Sequence, residues 1–213
     1  MMSSGKARKA LGRFFLCFLC VFARNLAQVI DRVAVTVDQQ VITESRVLEE
    51  LRLAAFLNDE KPDFSAEARR RAAARLVERL LIEREMELTR FPSSPEDAAK
   101  LLEQMRRGRP EAEYRAKLEA YEITEESLQQ YLLRQAALLR FLEVRFRPEA
   151  QVSEQEVRDC LQKRDPKSAA SVEEARAHCE EALVAAGVDK ALDRWLGEVR
   201  ERARIVYREG AFR

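Results

Sequence analysis

Apolar and polar residues alternate with a period of two near the start of the chain and with a helical period over most of the remainder. In the stretch Val29 to Val47, VIDRVAVTVDQQVITESRV, Val33, Val35 and Val37 alternate with Ala34 and Thr36. That period places the valines on one face of a strand. Asp38-Gln39-Gln40 interrupts the run and Val41-Ile42 resumes it. Thr43 is a capping residue, with Glu44 at the positive end of the next helix. The pattern predicts strand, turn, short strand, helix. A two-stranded ribbon is marginal in water, so a distant strand is expected to complete it. The only other strand-like segment is Arg204 to Tyr207. Pairing of the two would make everything between them one closed module.

Between those strands the pattern predicts helices. The first covers Glu44 to Leu57, with Val47, Leu48, Leu51 and Phe56 apolar. Ser65 caps a second that runs to about Phe91, with Ala72, Leu76, Val77, Leu80 and Leu81 on one stripe. Pro92-Ser93-Ser94-Pro95 is a stop and a restart, with Ser94 as N-cap and Pro95 as first helical residue. Short helices come next, over 96–106 and 111–121. Thr124 caps what is expected to be the longest helix, 125–146, which spans roughly 33 Å at the helical rise. Ser153 with Glu156 and Ser171 with Glu174 form capping boxes. The first opens a helix through Cys160. The second opens one expected to end at Ala186, break at Gly187 and resume through Leu192, Trp195, Leu196 and Val199. Lys163 to Ala170, KRDPKSAA, reads as a polar linker. The fold class is mainly α, with a small antiparallel sheet built from N- and C-terminal strands.

Composition changes this picture at one end. The formal net charge of +1 over 213 residues hides an asymmetry. Residues 1–27 carry Lys6, Arg8, Lys9, Arg13 and Arg24 and no acid, and the rest holds 33 basic against 37 acidic residues. That mild acidity lacks the bias of a nucleic-acid binder. The basic start precedes ten apolar residues, Phe14 to Ala23. These are too few to span a bilayer, which takes roughly 20, and they fit the apolar region of a secretory signal. Cleavage is expected after Ala27, the alternatives being cleavage after Ala23 or a short anchor that stays attached. Neither Cys17 nor Cys20 follows the small residue that a lipoprotein site needs. Their C-x-x-C spacing would leave with the signal, keeping Cys160 and Cys179 as the mature cysteines. In an oxidising compartment the pair is either a disulfide between two helices or two free, half-buried thiols.

Candidate reaction chemistry is sparse. The chain has one histidine, His178, amid Glu173, Glu174, Glu180 and Glu181, which reads as a surface helix residue. The sequence lacks a dinucleotide fingerprint, a Walker loop and a nucleophile elbow. Its carboxylates interleave with Arg and Lys at helical spacing, as on solvated faces, and no acid is expected in an apolar setting that would raise its pKa. Arg69-Arg70-Arg71 is read as a solvated first turn, with a phosphate or lipid contact as the alternative. No catalytic residue, metal ligand or cofactor is expected.

The opening segment, with its Ile42-Thr43-Glu44-Ser45 step, resembles the start of the SurA family of periplasmic chaperones. ARRRAAARLVERLLIEREM, Ala68 to Met86, is similar to that family's second helix. Thr124 to Phe146, followed by Val152 to Val157, is similar to its long helix and exit. Val172 to Tyr207, with Ala191 to Leu196 and Ile205-Val206-Tyr207, is similar to its returning helix and strand. The family carries parvulin-type isomerase domains between exit and return, where this chain has only Lys163 to Ala170. The resemblance therefore implies a signal at 1–27, a chaperone domain at 28–162, a linker at 163–170 in place of the parvulin domain, and a returning helix and strand at 171–213 packed on it. It implies an ATP-independent periplasmic holdase that binds unfolded outer-membrane or secreted polypeptides in an exposed apolar groove, without nucleic acid and without a membrane span after signal cleavage. Phe56, Phe64, Met86, Phe91, Met105, Tyr114 and Tyr121 are the candidate client-binding residues, each with an ordinary core residue as its competing reading. A structural scaffold, a homodimer and a prolyl isomerase remain as alternatives.

Overall fold

The sheet forms where the valines require it. In the computed structural model, which describes residues 31–92, 95–107, 110–163 and 171–213, β1 (Val33–Val37) pairs antiparallel with β2 (Gln40–Thr43) across a tight turn. Asp38 turns the chain with φ of 53°, a left-handed conformation that Asp tolerates better than branched residues. From the far end of the chain β3 (Ile205–Tyr207) pairs with β1 on its other side, Val37 opposite Ile205 and Val35 opposite Tyr207. The strand order is β2-β1-β3. Asp38 locks this closure: its Oδ1 accepts the Arg204 amide at 2.8 Å, and its own amide donates to the Arg204 carbonyl at 2.9 Å.

The strict alternation of the valines is not kept. A register shift between Val33 and Val35 inserts a bulge into β1, which puts consecutive residues out of phase. Ala34 is consequently as buried as Val35 and Val37, while Val33 is only half-buried. Ala34 joins the apolar cluster that also holds Ala211 and Phe212, from a 3-10 turn over Glu209–Phe212.

Seven α-helices complete the fold among the described residues: α1 (Glu44–Asn58), α2 (Ala66–Leu88), α3 (Pro95–Arg106), α4 (Glu111–Ala120), α5 (Glu125–Phe146), α6 (Glu154–Lys163) and α7 (Val172–Arg202). Their starts match the capping residues: Thr43, Ser65, Thr124 and Ser171 each accept a first-turn amide. Ser153 and Glu156 bond reciprocally. The expected Ser94 cap, the signal at 1–27 and linker residues 164–170 lie outside the described residues. Lys163, expected in the linker, is the last residue of α6.

The largest departure from the sequence pattern is α7, which runs unbroken through Gly187 and, at 31 residues against 22 for α5, is the longest described helix in place of 125–146. A glycine costs a helix only about 1 kcal/mol relative to alanine, and buried neighbours Val188 and Ala191 hold the helix in register. Gly187 is there for contact: a Cβ on it would lie 2.7 Å from the Cβ of Ala150. The helix lets the chain after α5 pass against its backbone at this point.

Two apolar cores result. The first joins the sheet to α2, α7, the start of α1 and the end of α5 through Val35, Val37, Val47, Leu51, Ala72, Val77, Phe141, Phe146 and Leu196. Ala72 and Ala73 are fully buried, and side chains that small let α2 approach closely. The second joins α3 and α4 to the end of α1 and the start of α5 through Phe56, Leu102, Tyr114, Leu118 and Leu128. Helices α1 and α5 therefore contribute to both cores. Between them, Arg79 of α2 donates to Glu50 of α1 at 2.8 and 3.0 Å, with its guanidinium 5.1 Å from the ring centre of Tyr131 in α5.

The arginine run at the start of α2 is not simply solvated. Arg69 reaches Glu44 and the carbonyl of Arg213, Arg70 pairs with Glu209, and only Arg71 pairs within its own helix, with Glu67. Two of the three thus tie α2 to the C-terminal segment. Cys160 of α6 and Cys179 of α7 form a disulfide, with Cα atoms 6.0 Å apart.

Candidate functional site

The seven aromatic and methionine positions read from the sequence as a client groove do not line one surface. Phe56 and Tyr114 are each 1% exposed in the second core, and Tyr121 packs edge-on to Phe56 at 5.5 Å. Met105 joins them half-buried. Met86 and Phe91 pack on the first core, Phe91 edge-on to Phe141 at 5.3 Å. Only Phe64 is exposed, with Arg52 stacked 5.6 Å from its ring centre. The reason is that α3 and α4 stand away from the sheet and must bury their apolar stripes against α1 and α5. Large aromatics at those helix ends are what fills that second core. The strongly exposed apolar side chains lie elsewhere: Leu88 at 75%, Val172 at 74%, Val144 at 63%, Leu139 at 62% and Val41 at 51%.

The polar chemistry concentrates at the junction of β2, α1, α2 and α5. A cavity of about 320 Å³ lies there, lined by Val41, Ile42 and Thr43 of β2, Arg46 of α1, and Leu76, Arg79, Leu80 and Glu83 of α2. Glu83 is half-buried, and its Oε1 is enclosed without a hydrogen-bond partner. Burial pushes its carboxyl above the usual range, against the pull of Arg134, Arg79 and Arg46. Arg134 of α5 has an enclosed Nε that is also unpartnered. Burial lowers the pKa of its guanidinium, and repulsion from Arg46 adds to this. Arg79 is the satisfied member: burial alone would lower its pKa, but the hydrogen bonds to Glu50, the charge of Glu50 and the neighbouring Tyr131 together outweigh this and raise it.

No acid with a pKa raised by its setting was expected from the sequence, and burial raises that of Glu83 although three arginines surround it. Along α2 it sits between Ile82 and Arg84, an ordinary amphipathic context. Its enclosure comes from β2 and α5, which no local pattern displays. The one available signal is the density of arginines, Arg46, Arg79 and Arg134, on three helices that the hydrophobic stripes bring together.

A second, larger hollow of about 730 Å³ borders the disulfide, lined by Glu156, Asp159, Lys163, exposed His178, Ala182 and Leu183. Its acids are already engaged: Glu156 caps α6 through Ser153, and Asp159 accepts from Gln155 at 2.7 Å. Among the described residues, no group of three or more His, Cys, Asp or Glu side chains is placed to hold a metal ion. No described helix is long and apolar enough to cross a membrane. In comparisons with known proteins, no family model and no curated protein matches the chain.

Proposed function

We propose that the protein is an ATP-independent holdase of the periplasm that binds unfolded outer-membrane or secreted polypeptides and carries out no reaction on them. The reading rests on the resemblance to SurA-like chaperones without a parvulin domain, with residues 1–27 acting as a signal. The observation that supports it most is the layout. The two ends of the described chain close on one sheet, while a second core on α3 and α4 stands apart from it along α1 and α5. Large apolar side chains are left outside on α2, α5 and α7. Weak contacts with such side chains, worth about 25 cal/mol per Å² buried, suit a protein that must release its clients without nucleotide. The Cys160–Cys179 bond fits an oxidising compartment.

The test is aggregation of an unfolded β-barrel client diluted from denaturant, without nucleotide. Suppression at stoichiometric protein is expected. Unchanged aggregation would leave the second reading, a helical scaffold, which the burial of Phe56 and Tyr114 favours. Refolding of a proline-limited substrate is expected to keep its uncatalysed rate, and acceleration would instead point to an isomerase.

A further inference from the structure

The Cys160–Cys179 bond joins two helices that little else holds together. Helix α6 packs chiefly on α7. Val157 of α6 is 2% exposed and Cys179 of α7 is 1% exposed, yet neither belongs to either core. Helix α7 enters the first core only from Val184 onward and does not enter the second. Residues 172–183 therefore carry α6 on a part of the fold to which neither core extends.

The polar groups of α6 are mostly engaged within their own segment. Ser153 donates to Glu156, Gln155 to Asp159 and Arg158 to Gln155. Glu154 crosses to Arg176 of α7 at 2.6 Å, but the two side chains are 66% and 40% exposed, and such a pair contributes little. Arg176 also pairs with Glu180 on its own helix, so it keeps a partner when Glu154 leaves. Ten residues are too few for a helix to persist alone in water, where even roughly 12–15 are marginal. With the bond cut, α6 depends on Val157, half-buried Leu161 and one solvated ion pair. The bond is also within reach from outside. Both cysteines border the open hollow of about 730 Å³, and Cys160 is partly exposed.

We propose that this bond is a redox clasp: a dithiol reductant opens it in the folded protein, and α6 then leaves α7 and unravels while the sheet and both cores stay in place. A thiolate of the reductant attacks the accessible Cys160 sulfur, the S–S bond breaks, and Cys179 leaves as a thiolate and takes up a proton. The second thiol of the reductant then displaces Cys160 from the mixed disulfide. One protein disulfide and one dithiol are consumed, and two protein thiols and one reductant disulfide are formed, with two electrons and two protons passing to the protein. Val157 and Cys179 become exposed in the reduced form. The clasp works whether or not the protein holds clients.

Reduction and hydrogen exchange of the full chain, followed together by mass spectrometry, test this. The probe is dithiothreitol at neutral pH without denaturant. Free thiols are alkylated and mapped by peptide, so that Cys160 and Cys179 are counted apart from Cys17 and Cys20. The bond is expected to be reduced within about tenfold of its rate in urea. Amides of 154–163 are then expected to exchange at least about tenfold faster than before reduction, whereas those of β1, β2 and β3 keep their rates. Transfer to oxidised glutathione is expected to restore the bond and the protection. Reduction slower than that, or accompanied by loss of protection in the three strands, overturns the proposal, because the bond then opens only with the whole fold. Retained protection of 154–163 in the reduced chain overturns it too, because α6 then holds without the bond. So does finding both thiols free before reductant is added.

Discussion

Removing one partner of the Glu50–Arg79 pair tests whether the region between the two cores is dry. Both side chains are under a tenth exposed, and the two bonds are parallel and short. At an effective dielectric near 20, unit charges about 4 Å apart attract by about 4 kcal/mol. Glu50→Ala deletes that attraction and leaves a guanidinium buried with two donors unpaired. The expected cost is about 3–5 kcal/mol, a large share of the roughly 5–15 kcal/mol that a domain possesses. In thermal unfolding this is a fall in Tm of about 6–20 °C. Arg79→Ala should cost as much and also lose the contact with Tyr131. The double replacement Glu50→Leu with Arg79→Met keeps volume and removes both charges, so it is expected within about 2 kcal/mol of the parent. Urea unfolding of the parent, Glu50→Leu, Arg79→Met and the double variant closes a double-mutant cycle and gives the coupling energy. A loss below about 1 kcal/mol for Glu50→Ala would mean that water reaches the pair. A double variant that costs the sum of the singles would mean that the charges do not act on each other. Either result refutes the argument that tertiary burial makes this pair important.

Other expectations come from single contacts. Cys160→Ser should cost about 3 kcal/mol, by closure entropy for a separation of 19 residues, and the gap between variant and parent in urea should vanish in reductant. Gly187→Ala should destabilise by about 1–2 kcal/mol, because the clash with Ala150 outweighs the gain in helix propensity; a more stable variant would mean that the segment after α5 yields freely. Asp38 has a carboxyl held below the usual range, first by the Arg204 amide and then by Arg84. Its charge therefore stabilises the folded state fully above the unfolded pKa, and this is lost as pH falls through the depressed folded value. Urea unfolding at a series of pH values should show Asp38→Asn less stable than the parent at neutral pH, with the two converging in acid; a gap independent of pH would show that the charge is not what matters.

The local chemistry of the chain determined where its elements begin. Thr43, Ser65, Thr124, Ser153 and Ser171 cap helices because a side-chain oxygen beside free first-turn amides acts over three residues, whatever the rest of the protein does. The pairing of the valine-rich strand with Ile205–Tyr207 was legible for a related reason: an unfinished ribbon has few partners to choose from. What the tertiary structure alone decided is burial. The bulge at Val33–Val35, the unbroken α7 at Gly187, the enclosure of Phe56 and Tyr114 and the enclosure of Glu83 Oε1 and Arg134 Nε all depend on surfaces supplied by segments distant in sequence. A hydrophobic stripe shows that a helix has an inside but not which neighbour forms it. Whether an aromatic ring becomes core or groove, and whether an acid keeps its water, is set by that neighbour.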